Sequence, residues 1–384
     1  MYQFSEEERS RIEKLEALAD AQIAPFAAEV DAEGRFPKEA MSALAENGYW
    51  GLTVPTELGG MGLGLNAIAG AVETVAQRDA SAAMVYLMHL CGVAAYAASA
   101  DRFGDQLRGA AAGTHLATLA WSERGSRSHF WAPMSQELDA GDDVILNGIK
   151  SWVTSAGYAN GYVATTRAAG SDNPMAISLY AVSDQHSGFD IESPWNAMGM
   201  RGNASAPMTM TDLKISKAHR IGESGAAMDV MMGGVLPVFA LGNAACSIGV
   251  AEAAVGATAG HLKASQLQHL GQSLADLPNL RERLATMRIK TDQARAYLAT
   301  AIGKVNSADP AAMLMVLGSK AQAAEAAIEV TDLGMRACGG AAFSKHLGIE
   351  RNFRDARAMG VMAPTSDVLR DFVGKAMLGM ELFG

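Results

Sequence analysis

VILNGIKSWVTSAGYANGYVATT, residues 144–166, sets short runs of β-branched and aromatic residues between turn residues. Val144–Leu146, Ser151–Thr154 and Tyr162–Thr166 read as strands, with Asn147-Gly148 as a turn signal between the first two. Beyond this stretch, Ile177–Val182 and Met208–Met210 carry the pattern on, and Ala140-Gly141-Asp142-Asp143 marks another turn. Short strands spaced about a dozen residues apart predict a compact antiparallel sheet or small barrel between about Leu116 and Ile221.

On both sides of this region the period changes to that of helices. Ser5 followed by Glu8 is a capping-box pair, opening a helix with Ile12, Leu15 and Leu18 on one face. Pro25 kinks or ends that helix, Pro37 suits a first helical turn, and Gly48 terminates Lys38–Asn47. Gly59, Gly60, Gly62 and Gly64 make 56–65 a loop, and Leu65 to about Phe103 is one or two helices rich in Ala and Met. After Gly225, Leu280, Leu284, Met287, Thr291, Ala294 and Leu298 follow a helical rhythm. Asp309-Pro310 opens a long helix that Gly339-Gly340 closes. The expected class is therefore α+β, with an N-terminal helical domain (1–115), a middle antiparallel β domain (116–222) and a C-terminal four-helix bundle (223–384).

The 384 residues include 31 Lys and Arg against 41 Asp and Glu, a net charge of −10. Such a surface repels phosphate backbones and anionic lipid, so neither nucleic acid nor membrane is an expected partner. The most apolar stretch, Val235–Val255, is interrupted by Asn243 and Glu252 and reads as a buried helix, not a membrane span. The charged N-terminus shows no signal peptide. Cys91, Cys246 and Cys338 lie far apart in apolar settings, as free thiols do in a reducing cytoplasm. The histidines show no HxxxH or HExxH spacing, and no metal is expected.

No GxGxxG follows a strand and no GxxxxGK[ST] is present, so neither a Rossmann nor a P-loop site is indicated. A different set of segments occurs in order along nearly the whole chain. These are Gly51-Leu-Thr-Val-Pro-Thr-Glu-Leu-Gly-Gly-Met-Gly, Trp121-Ser-Glu-Arg-Gly-Ser-Arg-Ser, Leu146-Asn-Gly-Ile-Lys-Ser-Trp-Val-Thr-Ser, Met198-Gly-Met-Arg-Gly, Cys338-Gly-Gly and Arg354-Asp-Ala-Arg. With them the chain resembles the acyl-CoA dehydrogenase family, whose members are FAD-dependent oxidoreductases acting on acyl-CoA thioesters.

The resemblance implies that Trp121, Ser122, Ser128, Trp152 and Thr154 line the flavin. It also implies that Gly339 and Gly340 reach the FAD pyrophosphate from a neighbouring subunit, in a homodimer or homotetramer. Leu270-Gly271 stands where the family places a Phe-Gly pair, and Leu267 where it places an Arg. Arg336 stands where the family usually carries Gln and is expected to take over the pyrophosphate charge. Thr365 belongs to the loop beside the flavin, and Asp367 is a candidate acceptor for a ribose hydroxyl. Met88, His89 and Phe239 are candidate substrate-pocket residues.

The family's catalytic base is missing at both of its usual places. The loop that normally reads Tyr-Glu-Gly-Thr-Ser is Met362-Ala363-Pro364-Thr365-Ser366 here, and the alternative helix position is Phe239-Ala240. Ala363 keeps the backbone N–H that polarises a thioester carbonyl but accepts no proton. Glu252 falls on another helix face, and Glu123 reads as a structural hydrogen-bonding residue. His129, in the Gly-Ser-Asp place of the family, is a candidate base. The expected activity is oxidation of an acyl thioester with a relocated base, or a step that removes no α-proton. An electron-transfer flavoprotein is the implied electron acceptor. A flavin-dependent monooxygenase and a redox-silent homologue are the alternatives.

Overall fold

The computed structural model describes residues 2–126 and 129–382. Its first part is helical: α1 (Glu6–Gln22), α2 (Ala27–Glu33), α3 (Lys38–Glu46), α4 (Leu65–Ala76), α5 (Ala80–Ala97) and α6 (Ala100–Ala111). The expected capping box opens α1: Glu8 N–H donates to Ser5 Oγ at 3.2 Å and Ser5 N–H to Glu8 Oε2 at 2.8 Å. Two otherwise free amides are thereby satisfied, while Ile12, Leu15 and Ala19 bury the inner face. Asp79 separates α4 from α5 and caps the latter, accepting from the Ser81 and Ala82 amides at 2.8 and 3.2 Å.

The middle strands are β1 (Ala117–Ala120), β2 (Gln136–Ala140), β3 (Asp143–Val153), β4 (Gly161–Arg167), β5 (Ile177–Val182), β6 (Phe189–Ile191), β7 (Ala206–Ser216) and β8 (Arg220–Ile221). They form one sheet in the order β6-β7-β3-β2-β4-β5-β8, with β1 beside β4. The Ala140–Asp143 turn is real, with Gly141 at φ 77 closing the β2–β3 hairpin. The sheet differs from the sequence expectation in two respects. β1 runs parallel to β4, as does the end of β2, so the sheet is mixed around an antiparallel majority.

The second difference is at Asn147-Gly148, which is no turn. It lies inside β3 at a bulge where the pairing with β7 slips between Leu146 and Gly148. Asn147 exchanges hydrogen bonds with Asp212, accepting from its amide at 2.8 Å. Gly148 is needed for close packing: a Cβ there would lie 1.9 Å from Ser135 Oγ. Tertiary contact, invisible to local turn preference, decides the conformation.

The chain then returns to helix through α7 (Ala227–Asp229) and a π-helical stretch, Val230–Val235, into α8 (Leu236–Ala264). A two-residue ladder, β9 (Gln266–Leu267) and β10 (Gln272–Ser273), precedes α9 (Pro278–Asn306), α10 (Ala312–Cys338), α11 (Gly340–Phe343), α12 (Ile349–Val361) and α13 (Ser366–Met377). Asp309 Oδ1 accepts from the Ala311 amide at 2.7 Å, so α10 starts two residues later than Pro310 suggests. It ends at Gly339, φ 56, about 40 Å away.

α10 packs against α8, α9, α12 and α13, and α4 lies on α8, joining the N-terminal domain to the bundle. Arg295 bridges that seam, 2.8 Å from Glu73 and 2.7 Å from Glu252. α5 and the Ala227–Ala264 helical run are apolar and long enough to cross a membrane, yet 89% and 83% of those windows are buried within the protein. All three cysteines are buried and unpaired.

Candidate active site at the junction of three domains

A cavity of about 690 Å³ opens where the three domains meet. α5 contributes Met84 and Met88, β1 and its continuation Leu119, Trp121 and Ser122, and β3 and the turn after it Trp152 and Thr154. The 195–205 loop adds Trp195, Met198, Met200, Asn203 and Ser205. α8 gives Leu236 and Phe239, α12 gives Arg354 and Arg357, and Met362-Ala363-Pro364-Thr365 closes the far wall.

Local structure aims these groups. Pairing of β3 with β7 slips a second time between Lys150 and Val153, and Trp152 there sits at φ 57. A bulky residue in that region is strained. The bulge turns the indole out of the sheet, edge-on to Trp195 at 5.5 Å between centroids. The Ser151 amide donates to Ser122 O at 2.8 Å, keeping the Trp121-Ser122 segment beside β3. Behind it, Lys150 is fully buried and paired with Glu123, donating also to Thr165 Oγ1 at 3.0 Å. Glu123 accepts from the Met134 and Ser135 amides, which confirms its structural role. Opposite, Asp355 accepts from the Met200 amide at 2.6 Å and Arg354 donates to Met198 O at 2.9 Å while gripping Asp31 and Glu350. The 195–205 loop is thus pinned to α12 and α2. Burial pushes the Asp355 carboxyl up to about 7.

Of the residues singled out in the sequence, Trp121, Ser122, Trp152, Thr154, Met88, Phe239, Ala363 and Thr365 line this cavity. His89 does not. It is fully buried on the other side of α5, its Nε2 2.9 Å from Trp50 O and its Nδ1 accepting from the Ala117 amide at 3.0 Å. Burial lowers its pKa to about 4, and it is a neutral structural bridge rather than a pocket residue. His129 is exposed, stacks on Trp131 at 4.8 Å between centroids, and is not among the residues that line the cavity. Ser128 lies outside the described residues.

Leu270, Arg336, Gly339, Gly340 and Asp367 are not on the cavity either. Leu270 is exposed, Arg336 pairs with Asp332 at 2.8 Å, and the Asp367 carboxylate is almost wholly in solvent. A Cβ at Gly340 would meet nothing within 4 Å, so packing within the chain does not require that glycine. Glu252 is occupied by Arg288 and Arg295, each at 2.7 Å.

Phe130, Trp195, Asn203, Ser205 and Arg357 also line the cavity, and the sequence reading missed them. They sit in irregular segments or follow no period, apart from Arg357, which ends the quoted Arg354-Asp-Ala-Arg segment. Among the described residues, the charged side chains of the lining are Arg354 and Arg357, with no carboxylate and no imidazole. Arg357 lies over the Phe353 ring at 4.1 Å.

A mixed sheet set between two helical domains, all three opening on one cavity, defines a three-domain α+β enzyme class. Models of the acyl-CoA dehydrogenase N-terminal, middle and C-terminal domains match residues 5–106, 118–213 and 226–378. The chain belongs to the acyl-CoA dehydrogenase family. A probable acyl-CoA dehydrogenase of Mycobacterium leprae is 28% identical over 380 residues, 98% of this chain and 97% of the relative. A 3-(aryl)acrylate reductase of Clostridium sporogenes is 27% identical, covering 98% of this chain and all of its own. The structure of butyryl-CoA dehydrogenase from Megasphaera elsdenii shares the fold, with a TM-score of 0.90 at 23% identity over 98% of this chain and 100% of that one.

Proposed function

We propose that this chain is an FAD-dependent oxidoreductase that acts on an acyl-CoA thioester in the three-domain cavity. The observation that carries the reading is the cavity's unmatched polar edge beside flat aromatic walls. Trp121 Nε1 and Asn203 Oδ1 are buried without a partner among the described residues, and Thr154 Oγ1 and Ser205 Oγ, 3.0 Å apart, line the same cavity. Buried orphans of this kind call for a ligand that supplies the missing donor and acceptor. An isoalloxazine ring, flat and apolar at one end and polar at the other, has that character, so the residues present fit a flavin. When bound, the flavin supplies the two-electron acceptor for a hydride from the substrate.

The chain's own residues do the rest. Trp121 and Trp152 flank the ring site, Ser122, Thr154 and Thr365 offer hydroxyls, and Met88 and Phe239 bound an apolar space for the acyl group. Ala363 N–H donates to no atom among the described residues and is free to meet a thioester carbonyl. No side chain among the described residues of the lining accepts an α-proton, so deprotonation falls to water or to a basic group of the substrate, unless the step removes no α-proton.

Arg336, Gly339, Gly340 and Leu270 lie off the cavity, which suits a role in completing the site of a second copy and hence a homodimer or a homotetramer. An electron-transfer flavoprotein as acceptor and a cytoplasmic setting complete the proposal. The base-free lining also favours a second reading, activation of oxygen on reduced flavin as in a monooxygenase.

Purified protein is expected to be yellow, absorbing near about 450 nm. Anaerobic bleaching by an acyl-CoA supports oxidation of the thioester. Stable colour with acyl-CoA, but turnover on adding reductant and oxygen, supports the monooxygenase. A colourless protein that takes up no FAD overturns both.

A further inference from the structure

Lys320 is a buried lysine behind the Met362-Ala363-Pro364-Thr365 wall of the cavity. It lies a third of the way along α10, fully buried, with no carboxylate partner among the described residues. Its Nζ donates to Met362 O at 3.1 Å and Pro364 O at 2.9 Å, the carbonyls on either side of Ala363. It also lies 5.7 Å from the centroid of Phe239. Lys320 therefore backs both places where a carboxylate base is absent.

The peptide units it holds decide what it does. Met362 C=O belongs to the same amide as Ala363 N–H, and Pro364 C=O to the same amide as Thr365 N–H; both units are trans. In a planar trans amide the C=O and N–H point in opposite directions. With both carbonyls turned to Lys320 on the core side, both N–H groups turn away from it, and Ala363 and Thr365 line the cavity. Neither N–H donates within the described residues. A cation on the oxygen of an amide also polarises it, making its N–H a stronger donor, as along any hydrogen-bonded chain in a low-dielectric site.

We propose that Lys320 is the positioning residue of the acyl-thioester subsite: its ammonium, clamped on the carbonyls flanking Ala363, presents and strengthens the Ala363 and Thr365 amides as a paired donor for the thioester oxygen. This rests on the thioester reading above. It gives the site a way to draw charge onto the carbonyl, and so acidify the α-carbon, without a carboxylate to collect the proton.

The test uses the FAD-loaded enzyme and cinnamoyl-CoA, whose absorption moves to longer wavelength as its carbonyl is polarised. Measurements are made at about pH 6, below the value of about 7 to which burial lowers Lys320. The wild type and Lys320→Arg are expected to shift the bound chromophore to the red. Lys320→Met is expected to lose the shift and to lower kcat/KM for acyl-CoA about 10-fold or more, with FAD content unchanged. Lys320→Gln, a neutral donor of similar length, is expected to lie between them and serves if the Met variant fails to fold. A neutral variant that binds FAD and cinnamoyl-CoA with the full red shift overturns the proposal while leaving the thioester reading intact. A wild type that binds FAD but neither binds nor shifts cinnamoyl-CoA overturns the thioester reading itself, and this proposal with it.

Discussion

At Ala363 the cavity wall carries a methyl group on a loop whose amide is unpaired and whose neighbours Met362 and Pro364 are gripped by Lys320. A carboxylate placed there meets the cavity directly. Ala363→Glu is expected to speed anaerobic flavin reduction by acyl-CoA about 10²–10⁴-fold, read by stopped-flow bleaching, and an unchanged rate would show that proton removal is not what limits the protein. Much of the site was legible at this scale. Trp121, Ser122, Trp152, Thr154 and Ala363 sit in recognisable segments of fixed order, so their place follows once the segments are matched. His89 was not legible, because its identity suits a pocket as well as a core, and only its bonds to Trp50 and Ala117 separate the two. Lys320 left one signal: it shares the stripe of Val316, Ala323, Ala327 and Val330 on α10, where a lysine breaks an apolar face.

Among the elements, β3 does most to shape the cavity. Its first bulge fits Gly148 under Ser135 and its second swings Trp152 outward, while Lys150 between them ties the strand to Glu123 and β4. Lys150→Met would leave the Glu123 carboxylate buried with only amide donors. The expected loss is about 3–5 kcal/mol, measured by urea unfolding, together with weaker FAD retention because the Trp121-Ser122 segment loses its anchor. Replacing both partners by apolar residues is expected to return part of that stability. Strand and helix periods made the α, β, α order legible. The bulges and the parallel β1–β4 pair were not, since each is fixed by contacts between residues far apart in sequence.

Across the whole molecule, ion pairs stitch the domains: Arg295 joins α9 to α4 and α8, and Arg354 joins α12 to α2 and the 195–205 loop. Global stability also carries the signature of one buried amine. Unfolded, Lys320 holds its proton to about 10.5; folded, burial lowers that to about 7. Between these values the unfolded chain binds more protons, so this lysine makes unfolding harder as pH rises from about 7 towards 10 and adds no slope below 7. Urea midpoints at about pH 7, 8 and 9 should rise more steeply for the wild type than for Lys320→Met; parallel curves would place the lysine's titration elsewhere. Finally, Trp121, Trp152 and Trp195, three of the five tryptophans in the chain, face one cavity. Their ultraviolet emission is thus a built-in gauge of occupancy, and a yellow ligand settling among them would dim the protein's own glow.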